Sequence, residues 1–161
     1  MARIVLITGG NLGPVAENLT AARLAVEKSV GKVVCRSSMI ASDAWGFEAP
    51  ERFLNQVLVV ETELAPEEAL DRCQQIEREM GRRRIPGAGY RSRTMDIDIL
   101  FYDRRIVRTE RLTIPHPLIA ERDFVLAPLE EVLPDFVHPV LGKTVRELRA
   151  LLADRQPRKE R

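Results

Sequence analysis

Aromatic residues make up only 5% of the chain, and there are just two cysteines and two histidines. Cys35 and Cys73 alone can build neither a disulfide framework nor a thiolate metal site. Both are expected to be buried, reduced thiols. Neither sign of charge prevails: 25 Lys plus Arg stand against 24 Asp plus Glu, a net charge of +1. That balance excludes a strongly basic nucleic-acid binder and a highly charged disordered chain. No apolar run approaches the ~18 residues of a membrane span. Ile4 to Ile7, after Met1-Ala2-Arg3, is too short for the hydrophobic region of a signal peptide. The expectation is a cytoplasmic protein with no membrane and no nucleic-acid partner. What is present is ordinary: 161 residues, 45% hydrophobic and 30% charged. Such a chain can bury a core as one domain, 1–161, with 154–161 expected to fray.

The hydrophobic pattern sets an order of elements. Ile4-Val5-Leu6-Ile7 is a continuous apolar run before Thr8-Gly9-Gly10, and reads as a buried strand. Pro14 suits a first helical position; Val15, Leu19, Ala22, Val26 and Val30 follow at helical spacing up to Gly31. Val33 to Met39 reads as a second strand, 42–52 as a loop, and Val-rich Phe53 to Leu64 as a third strand. Pro66-Glu67-Glu68 opens a helix whose stripe is Leu70, Cys73, Ile76 and Met80. Arg82 to Arg93 reads as a loop. Thr94 to Tyr102 alternates, placing Met95, Ile97, Ile99 and Phe101 on one face. Asp103-Arg104 reads as a turn into a short strand, Arg105 to Val107. Beyond it Pro115, Pro117, Pro128, Pro134 and Pro139 allow only short elements, and Thr144-x-x-Glu147 is a capping box before Val145, Leu148, Leu151 and Leu152. Strand, helix, strand, strand, helix, strand is the order of a ferredoxin-like split βαβ sandwich. This is an α+β fold with a mainly antiparallel sheet and helices packed on one face.

Asp96 and Asp98 carry the sharpest chemical signal. Two apart on a strand, they share the face opposite Met95 and Ile97. Adjacent carboxylates repel unless a cation lies between them, and Mg²⁺ takes carboxylate oxygens together with substrate phosphates. The preceding segment, Arg82 to Arg93, holds five arginines and no acid. Guanidinium forks match phosphate oxygens, and Gly87 and Gly89 suit a segment that closes. Gly9-Gly10-Asn11-Leu12-Gly13, between strand and helix, is either a ligand turn or a plain one. His116, in the extended Ile114-Pro115-His116-Pro117 with Arg111 and Arg122 nearby, could donate to a phosphate. Gln74 and Glu77 share a helix face that solvent alone explains. Trp45, Phe53, Tyr90 and Phe124 read by default as core aromatics. His138 has no role assigned.

Taken together these motifs resemble a known family. Gly9-Gly10-Asn11-Leu12-Gly13, Phe53-Leu54-Asn55, Glu77-x-x-x-Gly81-Arg82-x-Arg84, Arg93-Thr94-Met95-Asp96-Ile97-Asp98-Ile99-Leu100, Pro115-His116-Pro117 and Phe124-Val125-Leu126-x-Pro128-Leu129 occur in this order. Their spacing resembles the 6-hydroxymethyl-7,8-dihydropterin pyrophosphokinases of folate biosynthesis over nearly the whole chain. The resemblance implies pyrophosphoryl transfer from ATP to the hydroxymethyl oxygen of 6-hydroxymethyl-7,8-dihydropterin, releasing AMP. It makes Asp96 and Asp98 ligands of two Mg²⁺ ions, with Arg82 and Arg93 catalytic. It places Gln74, Arg84, Ile99, Arg111, Thr113, His116 and Arg122 at ATP. It places Gly9, Ser42, Ala44, Trp45, Phe53, Asn55 and Phe124 around the pterin. A ferredoxin-like fold is also implied, and a monomer is expected. The sequence departs from the family pattern at Gly10, at Ser42-Asp43-Ala44, and at Tyr90-Arg91-Ser92-Arg93.

Two other classes share parts of this pattern. A two-metal nucleotidyltransferase would release pyrophosphate rather than AMP. A non-catalytic ferredoxin-like module for nucleotides or RNA would expose sheet aromatics for stacking. No general base for the substrate hydroxyl is evident.

Overall fold

The computed structural model describes residues 1–42, 53–81 and 95–155. Among them, β1 (Ala2–Gly10) leads into α1 (Val15–Ser29), then β2 (Lys32–Arg36), β3 (Ile40–Ser42) and β4 (Phe53–Thr62). There follow α2 (Pro66–Gly81), β5 (Asp96–Tyr102), β6 (Val107–Arg108), β7 (Thr113–Ile114), α3 (Asp123–Val132) and α4 (Val145–Arg155). The sheet order is β2-β4-β1-β5, with β3 also on β4, and every pairing is antiparallel. This is the split βαβ order expected of the ferredoxin-like fold.

The sheet is covered on both faces rather than one. Ile4, Leu6, Leu58 and Val60 meet Leu19, Ala22 and Val26 of α1 and Ala69, Cys73, Ile76 and Met80 of α2. On the opposite face Val5, Ile7 and Val57 meet Val125, Leu126 and Leu129 of α3, and Val145, Leu148 and Leu152 of α4. The continuous apolar run of β1 is the sequence counterpart of this two-sided burial. The prolines do not prevent a ten-residue α3, which runs through Pro128. Helices thus cover both faces of the sheet, unlike the exposed sheet on which bases stack. None of the described helices is long and apolar enough to cross a membrane.

Several local expectations change. Alternation along β5 breaks at a bulge: Leu6 pairs with Ile99 but Val5 with Phe101. Leu100 is the extra residue, so Phe101 joins the α3/α4 face while Met95, Ile97, Ile99 and Tyr102 stay on the α1/α2 face. The strand expected at 33–39 stops at Arg36 and resumes at Ile40. In the gap, Ser37 Oγ accepts from the Val57 amide, while Glu131 of α3 takes both the amide and hydroxyl of Ser38. The short strand expected at 105–107 lies at Val107–Arg108. Cys35, on an edge strand, is exposed; Cys73 alone is buried. Leu70 is only partly buried, and Ala69 takes the core position beside it. Of the tail expected to fray, Asp154 and Arg155 belong to α4, and 156–161 lie outside the described residues. The capping box forms as read: Thr144 N–H donates to Glu147 Oε1 at 2.9 Å, and Glu147 N–H to Thr144 Oγ1 at 3.1 Å.

Candidate active site

The strand register assembles the centre of the site. Gly9 pairs with Asn55 on one side and Asp96 on the other. Cross-strand partners share a face, so Asn55, Gly9 and Asp96 form one row across the sheet. In the next row Ile7 lies between Val57 and Asp98. Val57 and Ile7 are under α3 and α4, so both acids and Asn55 are on that face, with Asp98 exposed and Asp96 half-buried on the edge strand β5. A Cβ at position 9 would overlap Asn55 Oδ1, so any larger residue there requires that amide to shift. Ser42 pairs with Phe53 one step further along β4.

The segment after β7 brings His116 to the acids. His116 N–H donates to the carbonyl of Leu100 in β5 at 3.1 Å. The stretch is not extended as expected: the carbonyl of His116 accepts from Ile119, and its Nδ1 accepts from the Leu118 amide at 3.3 Å. Nδ1 is thus an acceptor, which leaves the neutral ring's proton on Nε2. Burial pushes the imidazole below the ordinary histidine range; the nearby Asp98 carboxylate pulls it back up, and Arg122 pushes it down. His116, Asp98 and Arg122 therefore share one electrostatic neighbourhood. The Arg122 guanidinium lies 5.5 Å from the centre of the Phe124 ring. That ring is 38% exposed on the first turn of α3, and Phe53 is half-buried, so neither is the core aromatic of the default reading.

Along the outer edge of β5, α2 supplies a polar border. Glu77 Oε2 accepts from the Ile97 amide at 2.6 Å, between the two acids. Burial, then Glu77 and Asp98, push the Cys73 thiol up to about 12, so it stays protonated. The turn between β6 and β7 is closed by Thr109: its amide donates to the carbonyl of Leu112, and its hydroxyl accepts from the Leu112 amide. Arg111, inside that turn, reaches Glu67, Asp71 and Gln74 on α2. Thr113 is exposed on β7 opposite Arg108. Ile99 points into the core, so only its backbone is available at the strand edge. Sequence reading passed over Glu67, Asp71 and the bonding role of Glu77. Their signal was present as acceptors at 67, 71, 74 and 77, a stripe at helical spacing. Ala44, Trp45, Tyr90, Arg82, Arg84 and Arg93 lie outside the described residues.

An α+β sandwich with a carboxylate pair on an edge strand of its sheet, near a histidine and Arg122, has the makings of a phosphoryl-transfer site. Comparison with known proteins specifies the kind. Residues 5–134 match the model of the 7,8-dihydro-6-hydroxymethylpterin-pyrophosphokinase (HPPK) family, and the chain belongs to that family. It is 36% identical over 154 residues to the 2-amino-4-hydroxy-6-hydroxymethyldihydropteridine pyrophosphokinase of Aquifex aeolicus, covering 92% of this chain and 91% of that one. It is 40% identical over 154 residues to the enzyme of the same name from Methylorubrum extorquens, covering 94% of each. A crystal structure of wild-type Plasmodium falciparum HPPK-DHPS with pteroate superposes with a TM-score of 0.77 at 17% identity. That alignment takes in 96% of this chain but 43% of the other, and shows the shared fold.

Proposed function

We propose that this chain, as a single domain, carries out the family reaction with the residues gathered around Asp96 and Asp98 on the edge strand β5. The reaction is ATP-dependent pyrophosphoryl transfer to 6-hydroxymethyl-7,8-dihydropterin in folate biosynthesis. The observation that carries the assignment of residues is the row Asn55–Gly9–Asp96, which sets an amide beside a carboxylate across one glycine. A pterin needs a flat slot and a hydrogen-bonding edge. Asn55 would bond that edge, with Gly9 and Ser42 beside it and Phe53 and Phe124 as stacking rings. Ala44 and Trp45 are proposed to complete the pocket.

Two Mg²⁺ ions fit Asp96 and Asp98. Among the described residues no three His, Cys, Asp or Glu converge on one point. A pair of same-face carboxylates suits ions that complete their shells with phosphate oxygens and water. Bound there, they would neutralise charge on the triphosphate and at the leaving oxygen.

In the transfer, the hydroxymethyl oxygen forms a bond to the β-phosphorus. The bond from that phosphorus to the α–β bridging oxygen breaks, and AMP leaves. The hydroxyl gives up its proton, for which Asp96 and Asp98 are the nearest bases in the proposed arrangement. His116, with its proton on Nε2, would donate to a phosphate oxygen, and Arg122 would add charge beside it. Gln74, Arg111 and Thr113 border the nucleotide along α2 and β7, with the backbone of Ile99 at the strand edge. Arg82, Arg84 and Arg93 are proposed as phosphate contacts, Arg82 and Arg93 acting chiefly in the transition state. The protein is proposed to work as a cytoplasmic monomer. Separate titrations test the pocket: Asn55→Ala should weaken pterin binding about tenfold or more, as for a buried bond with its partner stranded, and leave ATP binding unchanged. Equal weakening for both ligands would contradict the assignment.

A further inference from the structure

Arg111 is held on α2 by three acceptors. Its Nη1 donates to Glu67 Oε1 at 3.4 Å, and its Nη2 donates to Asp71 Oδ1 and, at 3.5 Å, to Gln74 Oε1. A guanidinium grips phosphate bidentately through Nη1 with Nη2 or through Nε with Nη2, and both grips need Nη2. Here both Nη2 hydrogens are committed to α2. The charges point the same way: two carboxylates and one guanidinium sum to −1, so the closed cluster does not attract phosphate. We propose that Asp71, supported by Glu67, is an affinity-setting residue that keeps Arg111 docked on α2, so that ATP binds by displacing it. This rests on the reading that Arg111 belongs to the nucleotide site.

The latch suits displacement because it is exposed. The side chains of Asp71 and Arg111 are 59% and 45% accessible, so a released carboxylate returns to water. Pairs of this kind are weak, and a competing polyphosphate can open one. The cost appears as a Kd for Mg-ATP about three-fold higher than an unlatched Arg111 would give. Docking also shapes the response to salt. Added salt weakens both the latch and the attraction for triphosphate, so the wild type should lose less affinity with salt than a variant without the latch.

The test is calorimetric titration of Mg-ATP, without pterin, into the full chain, Asp71→Asn, Arg111→Ala and the double variant. Thermal unfolding of each provides the folding control. The expected result is about three-fold tighter binding by Asp71→Asn and weaker binding by Arg111→Ala. Asp71→Asn should then add nothing in the Arg111→Ala background. Glu67→Gln should tighten binding less than Asp71→Asn. Unchanged or weaker binding by Asp71→Asn would overturn the latch and make Asp71 an orienting partner. Equal tightening with and without Arg111 would overturn it in favour of a charge effect at a distance. Wild-type affinity in Arg111→Ala would instead remove Arg111 from the nucleotide site, a failure of the underlying reading rather than of the docked geometry.

Discussion

Glu77 Oε2 accepts the backbone amide of Ile97 at 2.6 Å, so the last turns of α2 hold the strand segment that carries Asp96 and Asp98. The bond sits between the two acids in sequence, and it fixes the edge from which both project. Glu77→Ala removes the acceptor and should raise the Mg²⁺ concentration for half-maximal rate by about tenfold, the scale of a charged hydrogen bond. Glu77→Gln keeps a carbonyl oxygen and should stay within a few-fold of wild type. Magnesium titrations of initial rate check this; a Gln variant as poor as Ala would show that the charge acts rather than the strand tether.

Gly9 is pinned between Asn55 and Asp96, and a methyl group there would overlap Asn55 Oδ1. The side chain of Asn55 is buried, so it has little room to retreat. Gly9→Ala should therefore weaken pterin binding by at least tenfold while ATP binding stays within a few-fold. Paired calorimetric titrations decide it, and equal losses for both ligands would contradict the proposed role of the row.

The βαβ order, the capping box and the Asp96/Asp98 pair were legible in the sequence because each rests on local spacing. Periods of two and 3.6 residues, and a Thr three residues before a Glu, report directly on neighbouring backbone. Long-range decisions were not legible. The Leu100 bulge depends on how β1 and β5 pair, and strict alternation misplaced Phe101 on the wrong face. The second helical layer was hidden by the prolines, although Ile4 to Ile7 already lacked a polar face. Cys35 is apolar enough to read as core, yet it lies on a sheet edge that nothing in its own sequence marks. The partners of Arg111 lie 37 to 44 residues away, beyond any local pattern.

His138 closes the turn before α4. Its Nδ1 accepts from the amides of Val140 and Leu141, at 3.2 and 3.1 Å, and its ring stands edge-on to Phe101. Burial holds its pKa below the ordinary value, as it does for His116. The unfolded chain then binds more protons than the native one below about pH 6.5, so stability should be full above that pH and fall as pH drops toward the native values. Urea unfolding from pH 7.5 to 5 should show this decline, with a shallower slope in His138→Asn. A stability that is flat or rises on acidification would contradict the neutral, accepting ring.

The Thr144–Glu147 box starts the helix that buries Val145, Leu148 and Leu152 against the sheet. Thr144→Ala should cost about 1 kcal/mol of unfolding free energy, the usual value of such a cap. Substrate affinities should not change, because α4 supplies no proposed ligand contact. Denaturant melts beside ATP and pterin titrations check both halves.

The central claim is that Asp96 and Asp98 serve transfer of a pyrophosphoryl group from ATP to a pterin. The most direct measurement supplies ATP, Mg²⁺ and 6-hydroxymethyl-7,8-dihydropterin to the wild type and to Asp98→Ala, and identifies every phosphorus-containing product by ³¹P NMR. The account predicts one AMP per pyrophosphorylated pterin from the wild type, and a rate lower by orders of magnitude from a folded Asp98→Ala, since the two carboxylates act as a unit. Release of pyrophosphate or ADP by the wild type, or full turnover by Asp98→Ala at ordinary Mg²⁺, would contradict it.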